Sequence, residues 1–341
     1  MKRRLLLLEL WGLGDLTLST AFIRKALEAG YEVDLVAKAY AKPLLEGTFP
    51  GLNFITYKAP WSAPAGKYLL WKWDWRELMS LLRRLRTRRY EAAVSVRWDP
   101  RDHLLLWLTG ARRRIGFPRW NSQFFLTHSV GRQAARHKVE DWRVLGEAIG
   151  LPSADEGPRL QAEPQALPAE VKAALGDAPF FVLHAGAATA LRRWPEAYYR
   201  EILLWLRARY DIRFVLVPDP TGHGLGLSAL ADLVLPKLSL PEMLALFSKS
   251  TFFIGNDSGP GHVAAALGIP TLSIFGPGSV DAFRPWGKDA SIVIRDICPR
   301  RPCFDSCPHP EPYCLTQLRP ETVWPEIDAF VGRFTRKRSA G

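Results

Sequence analysis

The sequence lacks any apolar run long enough to cross a membrane as a helix, which takes about 18 residues. The first residues resemble a signal peptide, because the basic residues 2–4 precede four leucines, Leu5 to Leu8. Glu9 interrupts this apolar run. We therefore expect a cytoplasmic protein. At 341 residues, with 48% hydrophobic and 23% charged residues, the chain is long enough for two α/β domains of about 150 residues each.

Cysteine is scarce, and all four cysteines lie in one short segment, 298–314: Cys298, Cys303, Cys307 and Cys314. In a cytoplasmic chain such clustering favours a metal over disulfide bonds, because thiols stay reduced there. Four thiolates suit a structural, tetrahedral zinc or iron ion. The spacing differs from that of a standard zinc ribbon, so free thiols and disulfides stay open as alternatives.

Excess positive charge is absent from the second half of the chain. The first 150 residues contain 26 basic and 14 acidic residues, whereas the other 191 contain 20 of each, so the net charge of +12 is entirely N-terminal. Such a field attracts nucleic acid, anionic lipid or a phosphorylated glycan without discriminating among them. A surface that serves solubility only is the plain alternative.

The chain also lacks the complete glycine-rich fingerprint of dinucleotide-binding enzymes, although its opening has their β–loop–α–β order. The pattern predicts a buried strand over 5–10, a tight loop over 11–15, a helix over 16–29 and a strand over 31–37. No acidic residue stands convincingly at the ribose position, which disfavours nicotinamide chemistry. Asp15 is the last residue of this predicted loop. Its side chain could cap the following helix and still have a functional role.

The most informative stretch of the sequence is 252–276. Its pattern predicts a strand over 252–254, a loop, a helix over 260–267 and a second buried strand over 271–275. This βαβ unit places a helix N-terminus at the carboxyl edge of a parallel sheet, where an anion such as phosphate is favoured. A plain alternative is that Asp257 and Ser258 only cap the helix and His262 packs in its first turn.

The string from Asp257 to His262, with the small residues that follow, resembles the donor-site signature of the ADP-heptose:lipopolysaccharide heptosyltransferase family, the inverting family-nine glycosyltransferases. Gly14-Asp15 resembles the N-terminal motif of that family, whose aspartate is its proposed general base. The loop 184–196 matches more loosely. It carries Arg192 where the family typically has lysine, which keeps the charge but changes the donor geometry.

This resemblance implies an α/β, GT-B-like fold of two Rossmann-like domains whose parallel sheets face each other across a cleft. Residues 1–155 would form an acceptor-binding domain, 156–178 a linker, and 179–341 a nucleotide-sugar-binding domain that contains the segment 298–314. The implied activity moves a heptose or related sugar from an ADP-sugar to a lipopolysaccharide core-type acceptor, with inversion. Asp15 is the implied catalytic base, and the implied donor-binding residues are Gly14, Gly186, Thr189, Arg192, Asp257, Ser258, Gly259, Gly261 and His262.

The same resemblance implies no cofactor for catalysis and an anionic glycolipid acceptor met at the cytoplasmic face of the inner membrane, without nucleic acid as a partner. A nucleotide-sugar epimerase and a basic nucleic-acid-binding protein are the alternatives. Trp71, Trp73 and Trp75 precede an arginine-rich helix, a combination that suits a membrane interface or stacking against sugars. Core packing is expected for some of the tryptophans between 61 and 75.

Overall fold

The computed structural model describes residues 3–63, 68–133, 136–153, 156–219, 221–235, 237–304 and 306–338. The chain divides into two compact units, Met1–Pro158 and Arg159–Gly341. Each unit contains a six-stranded sheet, and the strand pairs within both sheets are parallel. The predicted α/β class, with two parallel Rossmann-like sheets, is confirmed.

The first sheet has the strand order β3-β2-β1-β4-β5-β6. Its central strand contains four consecutive leucines, Leu5 to Leu8, and all four are fully buried, as expected where helices cover both faces of a parallel sheet. The strands are β1 (Arg3–Glu9), β2 (Tyr31–Ala37), β3 (Asn53–Thr56), β4 (Ala92–Ser95), β5 (Arg113–Gly116) and β6 (His128–Ser129).

The α-helices described in the first unit are α1 (Leu13–Leu18), α2 (Thr20–Glu28), α3 (Ala41–Leu45), α4 (Trp75–Arg88), α5 (Pro100–Leu108) and α6 (Lys138–Glu147). The predicted single helix over 16–29 is wrong at its start. Helix α1 begins at Leu13, with Gly12 as its N-cap in an extended conformation, and α2 follows after Ser19. Asp15 therefore lies in the first turn of a helix rather than at the end of a loop.

The second sheet has the order β12-β11-β10-β7-β8-β9. Its strands are β7 (Phe180–His184), β8 (Arg213–Leu216), β9 (Leu233–Val234), β10 (Phe253–Asn256), β11 (Thr271–Ile274) and β12 (Ala290–Val293). The switch in strand order lies at β7 and β10, so the loops that follow these two adjacent strands meet at one edge of the sheet. Open parallel sheets bind ligands at such a switch point.

The α-helices described in the second unit are α7 (Ala169–Leu175), α8 (Glu196–Arg209), α9 (Leu240–Lys249), α10 (Gly259–Ala266), α11 (Val280–Phe283), α12 (Tyr313–Thr316) and α13 (Pro320–Gly332). The predicted βαβ unit over 252–276 is thus β10, α10 and β11. Helix α13 packs within this unit, where Val323, Ile327 and Phe330 join the core formed by residues of β7, α8 and β10.

The segment between the two predicted domains contains regular structure of its own. Helix α7 occupies 169–175, inside the predicted linker 156–178, and Val171 and Leu175 of this helix are buried. The predicted domain end at residue 155 falls outside the described residues. No helix in the described ranges is both long and apolar enough to span a lipid bilayer.

Candidate active site

The N-terminus of α10 is shaped to receive an anion. Ser258 occupies the N-cap position in an extended conformation, yet its side chain makes no capping hydrogen bond. Its hydroxyl oxygen is buried and has no hydrogen-bond partner among the described residues. Gly261 lies tightly against β11, because a β-carbon there would come within 3.0 Å of the Ser273 hydroxyl oxygen. The backbone N–H groups of the first turn, with the helix dipole, favour a phosphate in front of Ser258.

Asp257 and Arg192 come together beside this helix end. The Asp257 carboxylate is 5% exposed, and its Oδ2 lies 3.9 Å from the Arg192 Nη1. Asp257 also closely approaches the loop after β11, since a β-carbon on Gly278 would lie 2.2 Å from its Oδ2. A larger residue at 278 would therefore have to displace the Asp257 carboxylate. The structure brings Arg192, of the loop after β7, to the donor signature 257–262, although 65 residues separate Arg192 from Asp257 in sequence.

The two adjacent arginines of the loop after β7 have different roles. Arg193 donates to the Ala187 carbonyl oxygen at 3.1 Å and to Asp219 Oδ2 at 3.1 Å, so it ties this loop to the loop after β8. The Arg192 side chain is 25% exposed and carries the ion pair with Asp257. This arrangement supports Arg192, rather than Arg193, as the residue that contacts a ligand.

The other predicted donor residues also lie at this edge of the second sheet. Thr189 is the N-cap of a 3₁₀ turn, Ala190–Arg192, and positions Arg192. Gly186 faces Asp219 so closely that a β-carbon would lie 2.3 Å from the Asp219 Cβ. His262 is buried within α10. Gly14, by contrast, is buried in α1 of the first unit, so its predicted donor contact is not explained by the geometry of the second unit.

Sequence reasoning missed Asn256, the last residue of β10. Asn256 is fully buried. Its Oδ1 accepts hydrogen bonds from the Trp194 backbone N–H at 3.1 Å and from the Tyr199 hydroxyl at 2.8 Å, while its Nδ2 donates to the Ala185 carbonyl oxygen at 2.5 Å. One side chain thus holds the loop after β7 against the donor loop. The available signal was an amide residue directly after an apolar strand, at the carboxyl edge of the sheet.

In the first unit, Asp15 lies at the corresponding carboxyl edge. Its Oδ2 accepts a hydrogen bond from the backbone N–H of Gly12 at 3.3 Å. Trp11, just before that glycine, has the guanidinium of Arg97 at 5.1 Å and the ammonium of Lys138 at 5.9 Å from its ring centroid. A carboxylate in this position can act as a general base for a sugar hydroxyl that comes within hydrogen-bond reach of it.

The four cysteines do not assemble into a metal site in the part of the chain that the structure describes: no three metal-ligating side chains converge there. All four cysteines are free thiols, with Cys298 and Cys314 buried. A hydrogen bond with Tyr313 lowers the pKa of Cys298, whereas burial raises the pKa of Cys303 and raises that of Cys314 to about 11. Among the described residues the four thiols are therefore not arranged as a preformed four-thiolate centre. Disulfides are likewise absent among these described cysteines.

Comparison with known proteins identifies the family of the chain. The family model described as glycosyltransferase family 9 (heptosyltransferase) matches residues 78–313. Helix α1, which carries Asp15, precedes this match. A lipopolysaccharide heptosyltransferase 1 of Pseudomonas aeruginosa is 30% identical over 175 residues, which are 45% of this chain and 48% of that protein. The chain thus spans about half the length of this curated relative.

Solved structures share the fold over nearly the whole chain. The Escherichia coli ADP-heptose lipopolysaccharide heptosyltransferase II superposes with a TM-score of 0.74 at 22% identity, covering 97% of this chain and 99% of that one. The iron-containing dodecameric glycosyltransferase TibC of enterotoxigenic E. coli superposes with a TM-score of 0.59 at 15% identity, covering 98% and 76%. At these identities the similarity concerns the fold alone.

Proposed function

The chain belongs to glycosyltransferase family 9, the heptosyltransferases, and on this premise we propose that it transfers a heptose or closely related sugar from an ADP-sugar to a lipopolysaccharide core-type acceptor. The observation that carries the proposal is the convergence of Arg192, Asp257 and the open N-terminus of α10 in the second unit. The donor and acceptor named for the relatives support the choice of an ADP-sugar and a lipopolysaccharide core.

The proposed reaction is a direct displacement with inversion. Asp15 removes the proton from an acceptor hydroxyl, and the oxygen then forms a bond to the anomeric carbon of the donor sugar as the bond to ADP breaks. Negative charge develops on the leaving diphosphate. Arg192, the Ser258 hydroxyl and the first-turn N–H groups of α10 stabilise that charge, and such preorganised donors contribute strongly to catalysis.

Roles of the remaining donor residues follow from their positions. Gly186, Gly259 and Gly261 allow the backbone to approach the diphosphate, and Thr189 holds the turn that carries Arg192. Asp257 both orients Arg192 and is placed to accept hydrogen bonds from the donor. His262 lies behind the phosphate position in α10, and we assign it a supporting contact.

We assign acceptor binding to the first unit because the excess positive charge of the chain lies there. Arg83, Arg84 and Arg86 are exposed on α4. Exposed cations attract an anionic glycolipid over about one Debye length, 8–10 Å at moderate salt. The donor site in the second unit carries no comparable charge excess, so salt should affect the KM for the acceptor more than the KM for the donor.

The first unit also exposes an aromatic surface that we propose contacts the membrane at its cytoplasmic face. Trp71 is 76% exposed and Trp75 is 49% exposed. Tyr68 lies under the Arg101 guanidinium at 5.5 Å, and Trp107 of α5 contacts Phe125. Exposed tryptophans bordered by arginines are typical of proteins that sit at a bilayer interface. The other exposed large apolar side chains described in the first unit are Tyr68, Leu70, Met79, Leu104, Trp107, Trp120 and Phe124.

A structural zinc or iron at the four cysteines stays a proposal, motivated by their clustering and by the iron that the name of TibC records. Binding would require Cys298, Cys303, Cys307 and Cys314 to converge. No step of the proposed reaction uses this metal. Metal analysis of the purified protein beside a Cys303→Ser, Cys307→Ser double variant tests it; equal metal content in both proteins would refute binding at these thiols.

The decisive experiment incubates the purified chain with ADP-heptose and a lipopolysaccharide core that lacks its heptose, and detects ADP release and a product heavier by one heptose. Donor without acceptor serves as the control, because an epimerase would alter the sugar there. We expect no change of the sugar under that condition. A panel of nucleotide sugars read by thermal shift ranks the donors, and stabilisation by every donor except ADP-sugars would refute the assignment.

Neither alternative is favoured by the family. A nucleic-acid-binding protein would need no phosphate site of the kind formed by Arg192 and α10. It would also show salt-dependent DNA binding without any response to nucleotide sugars.

A further inference from the structure

Two carboxyl groups hold consecutive backbone N–H groups in the loop after β1. Glu9 Oε1 accepts a hydrogen bond from the Trp11 N–H at 3.0 Å, and Asp15 Oδ2 accepts one from the Gly12 N–H at 3.3 Å. Resting on the proposed function, in which Asp15 is the base, we propose that Glu9 is a positioning residue that governs the reactivity of Asp15 through this shared loop.

The loop between the two carboxyl groups is held from several sides. The Tyr40 hydroxyl donates to the Trp11 carbonyl oxygen at 2.5 Å, and the Arg97 guanidinium lies 5.1 Å from the Trp11 ring centroid. The charge of Glu9 therefore acts on Asp15 across a short segment that Tyr40 and Arg97 also contact. Because Glu9 is the last residue of β1, its own backbone is fixed by the sheet.

Glu9 is buried in an environment that disfavours its charged form. The residue is 2% exposed, and its Oε2 has no hydrogen-bond partner among the described residues. Burial, with the nearby Asp15 charge, raises the pKa of Glu9 to about 8. The titratable and charged groups that face it from the surrounding elements are Asp15, Lys38, Tyr40, Arg97 and Asp102.

Glu9 is therefore neutral at pH 7, and Asp15 works without a second negative charge beside it. Above pH 8 the ionised Glu9 raises the proton affinity of Asp15 and makes it a stronger base, since like charges disfavour each other's ionised forms. Suppose that the two carboxyl groups, Glu9 and Asp15, are coupled by about one pK unit. If half of this effect is felt in the transition state, where the proton is half transferred, the rate of proton transfer to Asp15 would rise roughly threefold.

The activity test measures kcat/KM for the acceptor from pH 6 to pH 9.5. We expect the unmodified enzyme to show a rise with an apparent pKa near 8 that Glu9→Gln lacks, because glutamine reproduces the neutral acid but cannot ionise. Glu91→Gln is the matched control. Glu91 lies in the same unit but pairs with Arg3, and this pairing lowers its pKa, so its replacement should leave the rise in place.

A second readout needs no catalysis. The pKa of Glu9 is raised on folding, so its neutral form stabilises the fold fully below the unfolded pKa of about 4.3, and that contribution is lost as pH rises towards 8. The difference in Tm between Glu9→Gln and the unmodified protein should therefore increase in favour of Glu9→Gln from pH 5 to pH 8. Above pH 8 this difference should become constant. Glu91→Gln should differ from the unmodified protein by a constant amount over this range.

The outcomes separate the two hypotheses. Transfer with identical pH profiles for the unmodified enzyme and Glu9→Gln would overturn the role of Glu9 and leave the proposed function standing. Absence of transfer at every pH would refute the proposed function itself, and with it this inference. Should Glu9→Gln not fold, Lys38→Met serves instead. It removes a cation that faces both carboxyl groups, so the rise should move to higher pH; an unmoved rise would overturn the proposal.

Discussion

Replacement of Asn256 by alanine should destabilise the second unit, because this side chain holds the loop after β7 against the donor loop. The change leaves three buried groups without a partner: the Trp194 N–H, the Tyr199 hydroxyl and the Ala185 carbonyl. Each unsatisfied buried group costs about 1–3 kcal/mol, so for three groups the free energy of unfolding should fall by roughly 3–9 kcal/mol. That is a large part of the 5–15 kcal/mol that typically separates folded from unfolded proteins.

Urea unfolding followed by tryptophan fluorescence, with ADP binding measured by calorimetry at low temperature, checks this expectation. Tyr199→Phe alone should cost about 1 kcal/mol, because Asn256 keeps its other hydrogen bonds. In the Asn256→Ala background the same change should cost nothing or restore stability, since it removes an orphaned hydroxyl. Asn53→Ala, which loses one bond to Asp34 in the other unit, is the matched control. A loss for Asn256→Ala no larger than that of Asn53→Ala would refute the reasoning.

Three further changes test the assignment of roles. Asp15→Asn should abolish transfer while ADP affinity by calorimetry stays within twofold, because the base acts on the acceptor; an equal loss of donor binding would exclude this role. Arg192→Ala should weaken ADP binding by roughly 1–3 kcal/mol and Arg192→Lys should retain most activity; a lysine variant as inactive as the alanine variant would show that the guanidinium fork is needed. The double variant Trp71→Ala, Trp75→Ala should sediment less with anionic phosphatidylglycerol vesicles, while its Tm stays nearly unchanged. Trp61→Ala, at a core position that is 4% exposed, should instead lower Tm. Vesicle binding unchanged by the double variant would refute a membrane role for these rings.

The tryptophans between 61 and 75 show how far composition alone can lead. Their close spacing predicted that some of these rings lie in the core and others at an interface, but it did not tell which ring has which role. The structure buries Trp61 in the core of the first unit, places the Trp73 ring in a tilted contact with it at 5.3 Å between centroids, and leaves Trp71 exposed. Sequence spacing could not decide this, because the burial of each ring depends on the packing of α4 and α5.

The sequence by itself determined the opening strand–helix–strand order and the βαβ unit over 252–276, with a loop at the N-terminus of its helix. Runs such as Leu5 to Leu8 and Phe252 to Ile254 are strand signals, glycine and proline mark the breaks, and parallel strands necessarily carry the loops that follow them at one edge. Tertiary structure decided which side chains in those loops meet. Asn256 forms hydrogen bonds to residues 62 and 71 positions away in sequence, Arg192 reaches Asp257, and burial together with the Asp15 charge raises the pKa of Glu9. Such contacts and the desolvation of a charge depend on groups that only folding brings together, so no local pattern encodes them.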